Sequence, residues 1–283
     1  MVEVNTIGII GAGIMGASIA QVSAEAGYQV IVRDIAEQYV EKGLNAIRKV
    51  YERNIQKGKM SVEEAEQILG RIKWTVNVND LAGVDLVVEA VIERMDLKQQ
   101  VFQELDRVCQ PEAILATNTS GLSITEIAAA TNRPKKVIGV HFFNPVPVLK
   151  LVELTRGAET SEETFQIARG FAEKVGKEPI EVLEAPGFVV NRILVPMINE
   201  AAFVLMEGIS SAAEIDKGMR LGCNHPIGPL ALGDLIGLDT CLFIMDTLFN
   251  ETKDPKYRAC PLLRKKVRAG QLGRKTGQGF FPY

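Results

Sequence analysis

Six consecutive residues, Gly11-Ala12-Gly13-Ile14-Met15-Gly16, restrict what this chain can fold into more than any other feature of its 283 residues. An apolar run at residues 4–10 leads into them, as a buried parallel strand would. After them Ile14, Ile19 and Val22 fall on one side of a helix that Gly27 stops. A second apolar run, residues 29–32, ends at Arg33-Asp34. Strand, glycine turn, helix, strand and acid in this order predict a βαβ unit. In such a unit Gly11 allows the tight turn, Gly13 lets the backbone approach a pyrophosphate, and Gly16 permits close packing of helix on strand. The helix N-terminus attracts the anion. Asp34, 23 positions beyond Gly11, stands where a carboxylate meets a ribose. Gly11, Ala12, Gly13, Ile14, Met15, Gly16 and Asp34 therefore read as a dinucleotide site. Asp34 favours NAD, because a carboxylate accepts from both ribose hydroxyls and repels a 2′-phosphate. Arg33 would soften that repulsion. The plainer alternative is a glycine-rich turn with no ligand.

The pattern continues as alternating strands and helices. Residues 35–57 predict a long helix that Lys57-Gly58-Lys59 breaks, and Ser61 with Glu64 forms a capping-box pattern at the start of another. Together they predict an antiparallel helical hairpin inserted after the second strand, with a basic edge of Arg48, Lys49, Arg53, Lys57 and Lys59. A solvated helix face explains most of these charges, although a phosphate-bearing substrate tail could use one or two. Residues 85–91 and 114–116 read as central strands. Glu93 lies just past the first, with Lys98 near the start of the next helix, and Thr117-Asn118-Thr119-Ser120 closes the second. Ser161 caps a helix to residue 175, with Gly176 as its stop. A last run at residues 180–183 ends at Ala185-Pro186-Gly187, where a domain boundary is expected: residues 1–185, then 186–283. Beyond it residues 188–206, 211–221 and 235–249 read as helices, and the glycine-rich stretch GRKTGQGFF as loop.

The chemistry is expected at His141 to Glu153, HFFNPVPVLKLVE. One apolar run, residues 137–140, delivers His141. A second, residues 148–154, carries Glu153. Two consecutive strands joined by an Asn-Pro turn can set an imidazole against a carboxylate, which orients the ring and stabilises its protonated form. The chain holds two histidines, so candidates for a proton shuttle near neutral pH are few. A histidine that only caps a strand is the alternative. Glu93, Asn118, Ser120, His141 and Asn144 all fall at strand ends, where ligands bind in open α/β sheets. Taken singly, each could be a turn former.

Composition excludes several classes. A net charge of −3 with no basic block argues against a nucleic-acid partner. The longest apolar helix candidate, residues 188–206, holds Asn191, Arg192, Pro196, Asn199 and Glu200, so it is a poor membrane span and a good buried helix. No basic leader precedes the first strand at residues 1–3. Cys109, Cys223, Cys241 and Cys260 are scattered without metal or disulfide spacing, and read as reduced thiols in a reducing, cytoplasmic compartment. No metal site is expected.

Together these motifs resemble the short-chain 3-hydroxyacyl-CoA dehydrogenases, and among them the bacterial 3-hydroxybutyryl-CoA dehydrogenases of butyrate-forming metabolism. The likeness runs over the whole chain through GAGIMG, LVVEAVIE, NTS, HFFNPVPVLKLVE, PGFVVNR, HPIGPLALGDLIGLD and GRKTGQGFF. It implies an α/β fold: a Rossmann-type doubly wound sheet with the helical hairpin insertion, then an all-helical C-terminal domain for substrate binding and dimerisation. It implies NAD as cofactor and reversible reduction of acetoacetyl-CoA to (S)-3-hydroxybutyryl-CoA by a homodimer or higher homo-oligomer. By matching positions, His141 is the acid/base and Glu153 its partner. Ser120 binds the substrate oxygen or thioester end, and Asn191 completes the site. Glu93, Lys98, Ser120, Asn144 and Lys275 match cofactor contacts, and Arg53 and Lys57 match contacts to CoA. In one departure from the family's usual NTSS, Gly121 follows Ser120, which removes a hydrogen bond and predicts a looser loop. Two other readings are disfavoured: a dehydrogenase of free β-hydroxy acids, which would use a lysine where this chain has the His/Glu pair, and a non-catalytic NAD-binding protein on the same fold, against which the intact set of Ser120, His141, Glu153 and Asn191 argues.

Overall fold

The computed structural model describes residues 4–283; the expectation about residues 1–3 concerns positions outside them. The chain divides into two units, Met1–Glu184 and Ala185–Tyr283. The first unit is a single sheet with its connecting helices. In chain order these are β1 (Thr6–Ile10), α1 (Ile14–Glu25), β2 (Gln29–Arg33), α2 (Glu37–Gln56), α3 (Val62–Leu69), β3 (Ile72–Thr75), β4 (Leu86–Glu89), α4 (Met95–Val108), β5 (Ile114–Thr117), α5 (Ile124–Ala128), β6 (Val137–Phe142), β7 (Leu151–Arg156), α6 (Glu162–Lys174) and β8 (Glu178–Leu183). The strands lie in the order β3-β2-β1-β4-β5-β6-β7-β8. Neighbours from β3 across to β6 are parallel, β6 and β7 are antiparallel, and β7 and β8 are parallel. From β1 the chain builds outward to β3, then returns to β4 on the other side of β1. That reversal is the place in such sheets where ligands bind.

Strand periodicity sorts the side chains onto the two faces. Ile7 and Ile9 of β1, Val30 and Val32 of β2, and Leu86 and Val88 of β4 enter one core with Ala17 and Ala20 of α1 and Phe165 and Phe171 of α6. Most of these side chains are sealed from solvent, each worth roughly 1.5–3 kcal/mol of apolar burial. Helix starts follow the expected chemistry: the Ser61 hydroxyl accepts the Glu64 N–H, and that of Ser161 accepts the Thr164 N–H.

β3 was not expected. Its four residues, Ile-Lys-Trp-Thr, carry one fully buried position and no alternation long enough to register. Pairing with β2 makes the strand, Val30 opposite Ile72 and Val32 opposite Trp74. The α2–α3 segment is thus the connection from β2 to the sheet edge rather than an appendage on the sheet. The first strand is shorter than its apolar run: it starts at Thr6, and the Asp85 carboxylate takes the N–H groups of Asn5 and Thr6 at that end. The short helix α5 was also missed.

The second unit is helical: α7 (Val190–Met206), α8 (Ala212–Gly222), α9 (Pro229–Ile236), α10 (Leu238–Thr252) and α11 (Pro261–Arg268). Val195, Ile198, Leu230, Met245, Leu248 and Leu263 form its core. The helix expected at residues 235–249 straddles two elements. Gly237, with φ 105°, ends α9 and starts α10. α9 escaped notice because its N-cap comes from another helix: the two Asp216 oxygens accept the N–H groups of Leu230 and Ala231 at 2.8 and 2.9 Å. α11, short and rich in basic residues, was also missed. The C-terminal loop is held by Asp234, whose carboxylate accepts the N–H groups of Phe280 and Phe281 at 2.8 and 2.9 Å.

At the glycine turn, Gly11 has φ 96°, and a Cβ on Gly16 would lie 1.8 Å from the Gly11 carbonyl oxygen. Gly16→Ala is therefore expected to destabilise the protein by about 1–3 kcal/mol through overpacking. Urea unfolding should show a lower midpoint at an unchanged slope; an unchanged midpoint would show that the turn moves aside freely.

Candidate active site

At the end of β1 the chain makes the turn that its glycines allow. The Gly11 N–H donates to the Arg33 carbonyl at 2.9 Å, and the Ala12 N–H donates to Asp34 Oδ2 at 2.7 Å. Asp34 Oδ1 accepts the Ile35 N–H at 2.7 Å. Asp34 thus closes the turn while each oxygen keeps a second lone pair for a hydroxyl donor. Gly13 is different in kind from Gly11 and Gly16. A Cβ there would meet nothing within 4 Å, so packing does not demand glycine. No side chain caps α1 at Gly13, and its first turn holds no acid. Open backbone at a helix N-terminus, with a carboxylate at the end of the next strand, fits a dinucleotide: pyrophosphate over Gly13 and Ile14, ribose at Asp34. Ile14 is exposed, and Met15 is half-buried behind it. Arg33 is turned elsewhere, with Nε toward the Val76 carbonyl at 3.4 Å and a guanidinium nitrogen 3.8 Å from Glu104.

Beyond β4 and β5 the strand ends are joined laterally. The Asn118 N–H donates to the Glu89 carbonyl at 2.7 Å, and Asn118 Oδ1 accepts the Phe142 N–H at 2.8 Å. Beneath them lies a buried charge cluster. Lys98 Nζ sits 2.7 and 2.9 Å from the two oxygens of Glu89, both side chains wholly buried, and 3.5 Å from Glu93. Glu93 in turn accepts the Thr119 hydroxyl at 2.5 Å and the Ser120 N–H at 2.8 Å. Thr119 Oγ1 accepts from the Gly121 and Leu122 N–H groups at 3.2 and 2.9 Å. That hydroxyl ties the loop across Gly121, where a looser loop was expected.

β6 and β7 place the imidazole. Val140 and Phe142 enter the core that also holds Val152 and Leu154. His141 and Glu153 occupy the alternate positions, so both face the opposite side of the sheet. The antiparallel register sets them directly opposite each other. Directly opposed side chains have Cβ atoms about 4.5–5.5 Å apart, and here His141 Nδ1 lies 2.8 Å from Glu153 Oε2. Glu153 is fully buried, His141 nearly so, and the Phe143 ring lies 4.5 Å from the imidazole. Asn144 is exposed in the turn that follows.

The remaining candidates lie on α2 and in the second unit. Arg53 and Lys57 are exposed in the last turn and C-cap of α2, where a cation also suits the helix dipole. In the second unit Asn191 stands in the first turn of α7, and Lys275 is ion-paired with Asp239 at 2.6 and 2.7 Å. Two surface hollows, of about 440 Å³ beside Asp216 and Arg274 and about 510 Å³ along α2, are lined by neither Arg53 nor Lys57, though Lys49 of the basic edge borders the second. Among the described residues, no group of three or more His, Cys, Asp or Glu could hold a metal ion, and no helix is long and apolar enough to cross a membrane.

Two residues of this region were missed. Glu89 lies inside the apolar run that marks β4, and a carboxylate within a buried strand is itself a sign of a buried partner. Lys177, buried after α6, donates to the Val146 and Leu149 carbonyls, the latter at 3.0 Å. It pins the turn between His141 and Glu153, and burial lowers its pKa. Nothing in its local sequence announces this.

Comparison with known proteins agrees with this geometry. The family model for the 3-hydroxyacyl-CoA dehydrogenase NAD binding domain matches residues 6–185, and that for the 3-hydroxyacyl-CoA dehydrogenase C-terminal domain matches residues 187–283. The chain is 51% identical over 281 residues to a probable 3-hydroxybutyryl-CoA dehydrogenase of Bacillus subtilis, covering 99% of this chain and 98% of that one. It is 50% identical over 277 residues to the 3-hydroxybutyryl-CoA dehydrogenase of Clostridioides difficile, covering 98% and 99%. The crystal structure of (S)-3-hydroxybutyryl-CoA dehydrogenase from Ralstonia eutropha superposes with a TM-score of 0.96 at 49% identity, covering 99% of both chains. A glycine turn fit for NAD, an opposed His/Glu pair and full-length family matches lead to one conclusion: this chain belongs to the 3-hydroxyacyl-CoA dehydrogenase family of NAD-dependent oxidoreductases.

Proposed function

We propose that the protein catalyses the reversible reduction of acetoacetyl-CoA to (S)-3-hydroxybutyryl-CoA. The observation that carries this reading is the 2.8 Å contact of His141 Nδ1 with a fully buried Glu153 at the carboxyl ends of the strands. The relatives that bear the name 3-hydroxybutyryl-CoA dehydrogenase support the choice of substrate.

NAD is held by the glycine turn and Asp34, with Glu93, Ser120, Asn144 and Lys275 as further contacts. The Lys98 ammonium, buried against Glu89, serves that side through Glu93. Bound NADH supplies the hydride that C3 of the substrate receives. As negative charge develops on the C3 oxygen, His141 delivers a proton to it. With Nδ1 given to Glu153, that proton is carried on Nε2. Glu153 fixes the ring tautomer and stabilises the imidazolium before transfer. Ser120 and Asn191 donate to polar groups of the substrate and hold C3 in place. Arg53 and Lys57 meet the CoA phosphates. In the oxidising direction His141 takes the proton back from the hydroxyl.

The protein acts as a homodimer through its second unit, in butyrate or fatty-acid metabolism. The exposed apolar side chains Ile193, Ile209, Leu221 and Phe243, at 68, 67, 77 and 46%, are candidates for its contact surface. A cytoplasmic setting suits its four unpaired cysteines. Burial raises the thiol pKa of Cys109 to about 11 and of Cys241 to about 12, so these two stay protonated and unreactive there.

The test of activity is an initial-rate comparison at the NADH absorbance band. Acetoacetyl-CoA should oxidise NADH, free acetoacetate should not, and NADPH should have the lower kcat/KM because Asp34 repels its phosphate. Equal rates with free acetoacetate would remove CoA from the reading, and equal kcat/KM for the two cofactors would remove Asp34 as the discriminator. Sedimentation equilibrium at micromolar concentration should give twice the chain mass of 31.0 kDa; a monomer mass would contradict the dimer.

A further inference from the structure

Glu89 takes no part in the proton transfer just described, yet both of its carboxylate oxygens are engaged. It lies at the end of β4 with no exposed surface. Its Oε1 accepts the Val91 N–H at 2.7 Å, its Oε2 accepts the Thr117 hydroxyl at 2.7 Å, and Lys98 Nζ reaches both oxygens. A fully buried ammonium requires a fully buried counter-charge, and removal of one partner leaves the other stranded. Glu93, the second carboxylate on Lys98, stands farther off at 3.5 Å and is about a quarter exposed. Its own Oε1 is committed to Thr119 and to the Ser120 N–H. The ammonium is therefore shared unequally. Glu89 takes the close contact, and Glu93 keeps enough freedom to hold the loop that carries Ser120.

We infer that Glu89 is a positioning residue: by satisfying Lys98 it leaves Glu93 in place, and Glu93 sets where the Ser120 backbone and hydroxyl lie. The chain of contacts runs from the end of β4 through α4 to the loop after β5, three elements that meet on the carboxyl side of the sheet. Without the Glu89 charge, Glu93 becomes the nearest remaining anion to Lys98. It is drawn toward the ammonium, and its bonds to Thr119 and Ser120 lengthen. The consequence for turnover rests on the proposal that Ser120 holds the substrate; the displacement of the loop does not.

Glu89→Gln in the full-length protein tests both parts. Amide hydrogen exchange should speed up at Ser120, Gly121 and Leu122 while the β1 and β2 amides keep their protection. Exchange that is unchanged in the loop, or raised equally in all strands, would overturn the inference whatever the substrate. With acetoacetyl-CoA, and with active sites counted by NADH binding, kcat should fall by about 10- to 100-fold, as for a displaced contact group. In a Ser120→Ala background the same change should cost less than about threefold, because the effect passes through Ser120. An equal loss in both backgrounds would assign Glu89 to general stability. If Glu89→Gln does not fold, Thr117→Val loses one hydroxyl bond to Glu89, and the same background dependence is expected at smaller amplitude; its absence would overturn the inference. A wild-type enzyme inert toward acetoacetyl-CoA would defeat the functional reading alone, since hydrogen exchange decides the positioning without turnover.

Discussion

The site depends on one reversal of strand direction. β1 to β6 run parallel and bring their carboxyl ends to a common edge, as βαβ connections require. β7 then runs back along β6. An antiparallel pair sets residues directly opposite each other, and the parity of both strands decides which face each presents. Val140, Phe142, Val152 and Leu154 must enter the core shared with α6. The residues between them, His141 and Glu153, are thereby turned to the other face and toward each other. A slip of one residue in this register would bury polar groups in the core and expose the apolar ones, so the His/Glu contact is secured by the hydrophobic pattern around it.

Charge is handled at the same edge by pairing rather than by exposure. Glu153 is wholly buried against an imidazole, Glu89 is wholly buried against Lys98, and Glu93 bridges from Lys98 to the Ser120 loop. Buried pairs of this sort add little net stability relative to apolar packing, but the loss of one member is expensive. Their effect is to hold the loops after β4 and β5 in one arrangement. Asn118 carries the arrangement sideways to β6 through the Phe142 N–H. The cofactor turn is organised on the same plan, with the Asp34 carboxylate holding Ala12 in place.

Much of this is legible in the amino-acid sequence. The glycine spacing with Asp34 specified the βαβ unit because two of its glycines answer a steric demand, while Gly13 leaves the backbone open: the Cβ of any other residue would meet the Ala90 carbonyl at position 11 and the Gly11 carbonyl at position 16. The two apolar runs that carry His141 and Glu153 predicted two strands, although the second begins at Leu151 rather than at residue 148. What stayed hidden depends on contacts distant in sequence. β3 is a strand because β2 lies beside it, and α9 is capped by Asp216 from α8. Glu89 looked like part of an apolar run, and Lys98, near a helix start, like a cofactor contact, with nothing to pair the two until the fold set them 2.7 Å apart. Lys177 reaches back some thirty residues to the turn after His141, a distance that no local pattern encodes.

Family membership and geometry meet at the His141–Glu153 pair, and a single kinetic constant tests whether that pair performs the proton transfer. For His141→Asn, which keeps a polar group of similar size but cannot carry the proton, kcat for acetoacetyl-CoA with NADH should fall by about 10²–10⁴-fold while NADH affinity is retained. Turnover within a few-fold of the unmodified protein would contradict the assignment of His141 as the acid/base.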